Sequence, residues 1–396
     1  MLGLLHSVER VRLKAVLCIF ACFLLVIPAE AQPAPASGVR DDTLRAARNG
    51  QVLRIWPLPG GSNVGTRSYR ILYRSTGLKG EPIPVTASII FPDGPAPTSG
   101  RPVIAWAHPT TGVANKCAPS LLPMNAIQGL DEMIRRGYVV VATDYPGLGA
   151  PGVHPYLIGV SEARAVLDAV RAAGWVRDAG ARRDFAVWGH SQGGHAALFT
   201  GQIASTYAPD LRLVGVAAAA PASYLAKLFE ADNKAGGGAD LTAMTLMAWS
   251  RLFKLPLDDL VDPAALPIVR RVANDCIQTI PEFLQIGRDA APLASGFLKA
   301  DPTTSPKWRA IMDRNTPGRV RQRAPVFIAQ GTSDTTVYPS ITNSFVAHLC
   351  GQGTRVRYSR YPGVSHTFIG RDASYEAVSW MSDRFAGRSA PSDCGR

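Results

Sequence analysis

The segment Gly189-His190-Ser191-Gln192-Gly193 sets one hydroxyl between two glycines in a G-x-S-x-G spacing. The run Asp184 to Trp188 before it reads as a strand, and an Ala-rich helical run follows to about Ser205. Strand, sharp turn and helix is the context that presents such a serine at the top of a sheet as a nucleophile. The glycines have a physical task, because a side chain at either position would collide with the neighbouring strand or helix. A serine hydroxyl attacks poorly at neutral pH, so it needs a base for its proton and a third group to hold that base. The chemistry predicted is acyl transfer through an acyl-enzyme on Ser191. Without those partners the motif is only a Gly-rich connection.

On a scaffold of this kind the partners follow in the order serine, acid, histidine, on turns after later strands. The acid candidate is Asp334, in Gln330-Gly331-Thr332-Ser333-Asp334 directly after the apolar strand Pro325 to Ala329. Asp144 is the rival. It also ends a strand but precedes the serine, and is better suited to binding backbone groups in its own turn; Asp372 is a distant third. The base candidate is His366, on a loop after the last strand. His190 sits inside the elbow, His195 one helical turn beyond Ser191, His348 on a helix, His154 in a Pro-rich loop before the serine and His6 in the signal, and none has both the order and the strand-end place required.

A developing oxyanion needs donors aimed at it. One is the backbone N–H of Gln192, the residue after the nucleophile, and the second comes from the loop after the strand Pro102 to Ala107. That loop reads His108-Pro109-Thr110-Thr111-Gly112; Pro109 has no N–H, so Thr110, Thr111 or Gly112 must donate.

These residues have to be placed by a sheet. Tyr69 to Ser75 and Val85 to Phe91 read as an antiparallel pair. Strands at Pro102 to Ala107, Tyr138 to Thr143, Asp184 to Trp188 and Leu213 to Ala219 then alternate with helices around Met124 to Arg136, Ser161 to Ala173 and after Ser191. The fold class is α/β: a mostly parallel sheet flanked by helices. From Pro221 to Arg323 there are helical pieces, several prolines and a Gly236-Gly237-Gly238 hinge, but no convincing strand. Alternation resumes at Pro325 to Ala329, with a helix Ser340 to Leu349, a strand Arg355 to Tyr361 and a helix Ser374 to Phe385. The expected organisation is a core over residues 51–220 and 324–396 with a helical cap at 221–323; an unrelated extra domain is the alternative. Leu241, Met244, Ala248, Leu252 and Phe253 share one helical face, either as the wall of an acyl tunnel or as packing of cap on core.

Arg10, Arg12 and Lys14 precede an apolar run from Ala15 to Ile27, and Ala29-Glu30-Ala31 offers a small-x-small cleavage site. Residues 1–31 therefore read as a signal peptide, residues 32–50 as a flexible leader, and the chain as secreted to the periplasm or beyond; an uncleaved anchor is the alternative. Beyond Ala31 the chain has 39 basic and 28 acidic residues, a net charge of +11. The arginines are scattered, without the aromatic-interleaved strip that binds nucleic acid. No cofactor, no metal, no nucleic acid and no obligate protein partner is expected, and at most a transient contact with a lipid–water interface. Four cysteines lie outside the signal, Cys117, Cys276, Cys350 and Cys394, and without a C-x-x-C pair they suggest two disulfides, for which arithmetic allows three pairings.

The chain resembles the secretory lipase family of α/β-hydrolases, the lipase A-like group. The resemblance is carried by Tyr73-Arg74-Ser75-Thr76, by Ala107 to Gly112 running on to Cys117-Ala118-Pro119-Ser120, by Asp144-Tyr145-Pro146-Gly147-Leu148-Gly149, by Gly189 to Gly194, and by Gly331 to Asp334 and His366. It implies hydrolysis of acylglycerols and other carboxylic esters without a cofactor, and a helical cap between the sixth and seventh core strands. It also implies Thr111 as the second oxyanion donor and the pairings Cys117–Cys276 and Cys350–Cys394.

The function expected is a secreted carboxylic ester hydrolase, a lipase or esterase. An amidase or peptidase on the same scaffold and a catalytically retired binding protein are the rivals. A histidine base must be neutral, so the rate should fall on acidification through roughly pH 6–7. A pH–rate profile that stays flat between about pH 5 and 8 contradicts a histidine in that role.

Overall fold

Side chains that point alternately to two covered faces build one sheet between two apolar layers. The computed structural model describes residues 39–395 apart from 59–64, 123 and 236–237. The signal segment, the Pro/Ala-rich Gln32 to Gly38 and two of the three hinge glycines lie outside the described residues. Nine strands, β1 (Val52–Pro57), β2 (Thr66–Thr76), β3 (Pro82–Pro92), β4 (Arg101–Ala107), β5 (Val139–Thr143), β6 (Ala181–His190), β7 (Arg212–Ala219), β8 (Val326–Gly331) and β9 (Val356–Tyr361), form the sheet in the order β1-β2-β3-β5-β4-β6-β7-β8-β9. The β1–β2, β2–β3 and β3–β5 ladders are antiparallel; from β5 across to β9 every ladder is parallel.

Successive residues of a strand point to opposite faces. Val103, Ala105, Phe185, Val187, Val326 and Ile328 meet the helices Gly159–Ala173, Gln192–Tyr207 and Pro339–Gly351 on one face. Ile104, Trp106, Ala186, Trp188, Phe327 and Ala329 meet Leu130–Arg135, His366–Asp372 and Ser374–Phe385 on the other. Every residue of β5 and β8 is buried, as a strand covered on both faces requires. The carboxyl ends of these parallel strands share one rim, where ligand sites of such sheets form.

Three elements differ from the sequence expectation. β1 carries no buried alternation because it is an edge strand with Ile55 exposed, yet it pairs with β2 from Val52 to Pro57. Residues 221–323 lie between β7 and β8, which are the sixth and seventh strands counted from β2. The leader expected over 32–50 has structure in its second half: Asp41–Ala46 is helical, Ala47 is buried, and the Gly50 N–H donates to the Arg74 carbonyl at 2.8 Å. That bond joins residues distant in sequence, so composition gives no sign of it. His366 opens the short helix His366–Asp372 instead of lying in a loop.

Residues 221–323 contain, among those described, five α-helices: Leu225–Ala235, Ala239–Phe253, Leu266–Val272, Ile280–Ala290 and Pro306–Arg314. They close around their own apolar cluster, which includes Leu246, Trp249, Val269 and Met312. The Trp249 indole N–H donates to the Tyr156 carbonyl at 2.8 Å and so ties this cluster to the sheet side. Among the described residues no helix is long and apolar enough to cross a membrane.

Two disulfides close the chain, Cys117–Cys276 and Cys350–Cys394. The second spans 44 residues and pins the C-terminal segment to the helix Pro339–Gly351, away from the strand-end rim. In the chain-entropy account a loop of that length is worth about 4 kcal/mol. A Cys350→Ser/Cys394→Ser variant should melt several degrees lower in a thermal scan, while the turnover of the folded fraction stays unchanged.

Candidate active site

Ser191 occupies the turn between β6 and the helix Gln192–Tyr207 with φ 58° and ψ −117°. Such a positive φ is strained for a residue with a Cβ. Backbone bonds hold it there: its N–H donates to Ala219 O at 2.9 Å, and its carbonyl accepts from His195 N at 3.0 Å and Ala222 N at 3.2 Å. Glycine is required beside it by close approach. A Cβ on Gly193 would run into the Ala107 and His108 carbonyls, and one on Gly189 into the Gly193 backbone. The same contact packs the loop after β4 directly against the start of the helix.

His366 Nε2 lies 2.9 Å from Ser191 Oγ, and His366 Nδ1 lies 2.8 Å from Asp334 Oδ2. A carboxylate facing Nδ1 fixes the proton on that nitrogen, so Nδ1–H donates to Asp334 and Nε2 accepts from the serine hydroxyl. Asp334 is buried with both oxygens satisfied. Oδ1 accepts from the Thr336 and Val337 amides at 2.9 and 2.8 Å, and Oδ2 also accepts from Gln330 Nε2 at 3.1 Å. Thr342 Oγ1 donates to Gln330 Oε1 at 2.7 Å and locks that amide. Gln330 and Thr342 are not singled out by the sequence, since nothing local marks a buried glutamine as the support of a carboxylate four residues on.

The competing residues go elsewhere. Asp144 is buried behind the site. Its Oδ1 accepts from the Ser120 amide at 2.8 Å and its Oδ2 from the Thr86 and Ser120 hydroxyls, so it ties three separate segments together rather than its own turn. Asp372 pairs with Arg371. His190 presents its ring to His366, with centroids 4.9 Å apart. Burial, then the neighbouring His366, hold His190 well below the ordinary histidine range, so the two rings do not compete for a second positive charge.

Gln192 is the first residue of its helix, where backbone amides have no intrahelical acceptor. Its side chain turns inward into a buried polar network. Gln192 Nε2 donates to Glu162 Oε1 at 2.9 Å and lies 3.2 Å from His154 Nε2; Glu162 Oε2 is 2.6 Å from His195 Nδ1; His195 Nε2 donates to the Asn315 carbonyl at 2.8 Å. Thr111 is buried in the loop after β4. Its carbonyl accepts from Ile277 N at 2.9 Å, Gly112 bridges to Cys276, and Cys117–Cys276 closes beside them. The Thr111 hydroxyl is buried with no hydrogen-bond partner among the described residues. Thr110 Oγ1 and Tyr156 OH bond at 2.7 Å, and Tyr145 OH donates to the His108 carbonyl at 3.2 Å. The loop is therefore held from the sheet side and, through Cys276 and Ile277, from the 221–323 insertion at once.

Ser191 and Gln192 line a cavity of about 50 Å³ together with Tyr156, Leu225, Phe229, Asp232, Leu241, Thr242, Thr245 and Val337. Of the two readings of the apolar helix face, wall of an acyl tunnel or packing, it mostly serves packing. Leu241 lines the cavity, but Met244 and Ala248 pack inside the 221–323 cluster and Phe253 is partly exposed. The helix turns Thr242 and Thr245 towards the site because its apolar stripe is needed for packing the insertion. A wider groove of about 600 Å³, between Arg48, Trp175 and Arg183, lies at the amino ends of β6 and β7 and contains none of the expected site residues.

Sheet order, strand-end rim and strained serine define an α/β-hydrolase. The chain belongs to the secretory lipase family, whose sequence profile matches residues 125–393. It is 24% identical to a Mycobacterium tuberculosis protein named a probable inactive lipase, over 81% of this chain and 74% of that one, and 23% identical to Lipase A of Arthroderma benhamiae, over 83% and 72%. In fold it is similar to Candida antarctica lipase A, with a TM-score of 0.73 and 19% identity over 88% of this chain and 85% of that one. A rice cell wall degrading esterase from Xanthomonas oryzae superposes with a TM-score of 0.72 and 20% identity, over 87% and 100%.

Burial lowers His154 to about 4. Unfolded, a histidine titrates near 6.5, so below about pH 6.5 the unfolded chain takes up a proton that the folded one refuses. Stability should fall as pH drops from about 6.5 to 4, by up to about 3 kcal/mol from this residue. Denaturant melts across that interval should show a smaller loss for His154→Gln than for the parent chain.

Proposed function

We propose that this protein is an exported carboxylic ester hydrolase, a lipase or esterase, that works through an acyl-enzyme on Ser191. The observation that carries the proposal is the unbroken hydrogen-bonded line from Ser191 Oγ through His366 to Asp334. Its hydroxyl is already directed at Nε2, the nitrogen free to accept a proton. Family membership and relatives named as lipases support the ester-cleaving reading.

In the first half-reaction the Ser191 hydroxyl adds to the ester carbonyl while its proton passes to His366 Nε2. Asp334, accepting from Nδ1–H, stabilises the imidazolium without taking the proton. The carbonyl oxygen becomes an oxyanion beside the helix start, where the Gln192 amide donates, with Thr111 supplying the second donor from the loop after β4. Collapse expels the alcohol, which takes the proton from His366, and leaves the acyl group on Ser191. In the second half-reaction water attacks the acyl carbon, its proton goes to Nε2, and the carboxylic acid leaves as Ser191 regains its hydrogen. The buried His190, held neutral, gives the imidazolium a ring neighbour without a second charge.

In this reading residues 221–323 act as a cap over the site, the first 31 residues direct export, and no cofactor takes part. The outer face of the helix Ile280–Ala290 exposes Ile280, Phe283 and Leu284, three and four residues apart. That stripe suits a transient contact with a lipid–water interface, and no nucleic acid or obligate protein partner is invoked.

Purified protein should hydrolyse p-nitrophenyl esters and leave the matched anilides essentially untouched. Ser191→Ala should lower kcat/KM by a factor on the order of 10⁶. Ester turnover that survives that substitution rules out the mechanism, and anilide turnover comparable to ester turnover points to an amidase instead.

A further inference from the structure

The cavity beside Ser191 is small, and polar side chains are among those that line it. Leu225, Leu228, Phe229 and Leu241 form its apolar sides, but Asp232, Thr242 and Thr245 also line it. A volume of about 50 Å³ is room for roughly three to five water-sized groups, well below the several hundred Å³ of a pocket that encloses a drug-sized ligand. An acyl chain of three or four carbons fills such a space, and a fatty chain exceeds it and must press on its lining.

Asp232 is placed there by local structure. It lies near the end of the helix Leu225–Ala235, and its carboxylate rests against Gly238, where a Cβ would come within 2.7 Å of it. Gly238 has φ 78°, a conformation that favours glycine, so the backbone itself makes the niche for this side chain. Thr242 Oγ1 is 3.5 Å from Asp232 Oδ2, at the outer limit of a hydrogen bond, and Asp240 adds a second carboxylate nearby. Burial and then the charge of Asp240 raise Asp232 to about 7, the mark of a carboxyl with little compensation. An alkyl chain pushed against such a group would strip its remaining solvation with nothing in exchange.

Resting on the ester-hydrolase reading above, we infer that Asp232, with Thr242 and Thr245, closes the acyl pocket and restricts the enzyme to esters of short acyl groups. Asp232 is a specificity-determining residue here and takes no part in bond making. The restriction follows from the volume of the cavity and from the presence of Asp232, Thr242 and Thr245 in its lining.

The test is kcat/KM for p-nitrophenyl acetate, butyrate, octanoate and palmitate, below their solubility limits, on the full chain and on Asp232→Leu, Asp232→Asn and Thr242→Val. The parent enzyme should prefer butyrate to octanoate by at least about tenfold. Asp232→Leu should raise the octanoate-to-butyrate ratio at least about tenfold, and Asp232→Asn and Thr242→Val should raise it by smaller factors. A parent enzyme that turns over octanoate as fast as butyrate overturns the inference, as does a ratio unmoved in every variant that folds. Labelling with paraoxon, whose phosphoryl group carries only two ethoxy arms, separates the two levels of failure. If Ser191 is labelled while long esters are preferred, only the pocket inference falls. If Ser191 stays unlabelled and no ester turns over, the hydrolase reading falls and the inference with it.

Discussion

Ser191 is held with φ 58° at the junction of β6 and the following helix, a conformation costing about 1–3 kcal/mol for a residue with a side chain. It persists because the surroundings leave no alternative. Ala219 and Ala222 grip its backbone from the next strand and the chain beyond it, and the Ala107 and His108 carbonyls lie where any side chain at 193 would go. The neighbours of β6 are thus fixed together with the turn. β4 must approach closely enough for its end to touch Gly193, and β7 must end level with Ser191. A hydroxyl so exposed can meet a histidine carried by the chain after β9, more than a hundred and seventy residues later.

Around that turn the protein buries polar groups, and it satisfies the carboxylates that bear on the site, while Thr111 Oγ1, His190 Nε2 and Gln192 Oε1 have no partner among the described residues. Glu162 and His195 contact each other and hold Gln192 and the Asn315 carbonyl. Asp334 has four donors and Asp144 three. Buried carboxylates without such donors would destabilise the fold by several kcal/mol each. With them, they become fixed points that hold the elbow helix, the loop after β4 and the histidine in register. Asp232 is the counterexample. Among the described residues Thr242 alone reaches it, at 3.5 Å, and it lines the cavity beside Ser191.

The 221–323 insertion and the sheet share one boundary, and the Cys117–Cys276 disulfide lies on it. On one side is the loop carrying Thr111; on the other the Ile277 amide that holds the Thr111 carbonyl. The orientation of that loop therefore depends on the insertion as well as on β4, and a movement of one is transmitted to the other. The exposed Ile280, Phe283 and Leu284 lie only a few residues beyond that anchor.

The parallel sheet and most of its strands are legible in the chain, since a strand covered on both faces must be apolar at every position, as in Val139 to Thr143 and Val326 to Gly331. The elbow is legible because its glycines are required by local sterics. The order of Ser191, Asp334 and His366 is also visible, because each follows a recognisable strand. What escaped was decided by contacts between distant segments. β1 is an edge strand specified by its pairing with β2, Asp144 serves Ser120 and Thr86 rather than its own turn, and His190 lies against His366. The apolar stripe of Ala239–Phe253 announces a helix with one buried face, but periodicity does not say what lies opposite. Only the packed structure turns that stripe into the insertion's own core and leaves Thr242, Thr245 and Asp232 in the lining of the cavity beside Ser191. By itself the sequence determined which atoms could do the chemistry, because backbone strain and strand burial are local demands on residue type. The tertiary structure alone decided the shape and polarity of the space in front of them, because a cavity is made by side chains whose neighbours lie far away along the chain.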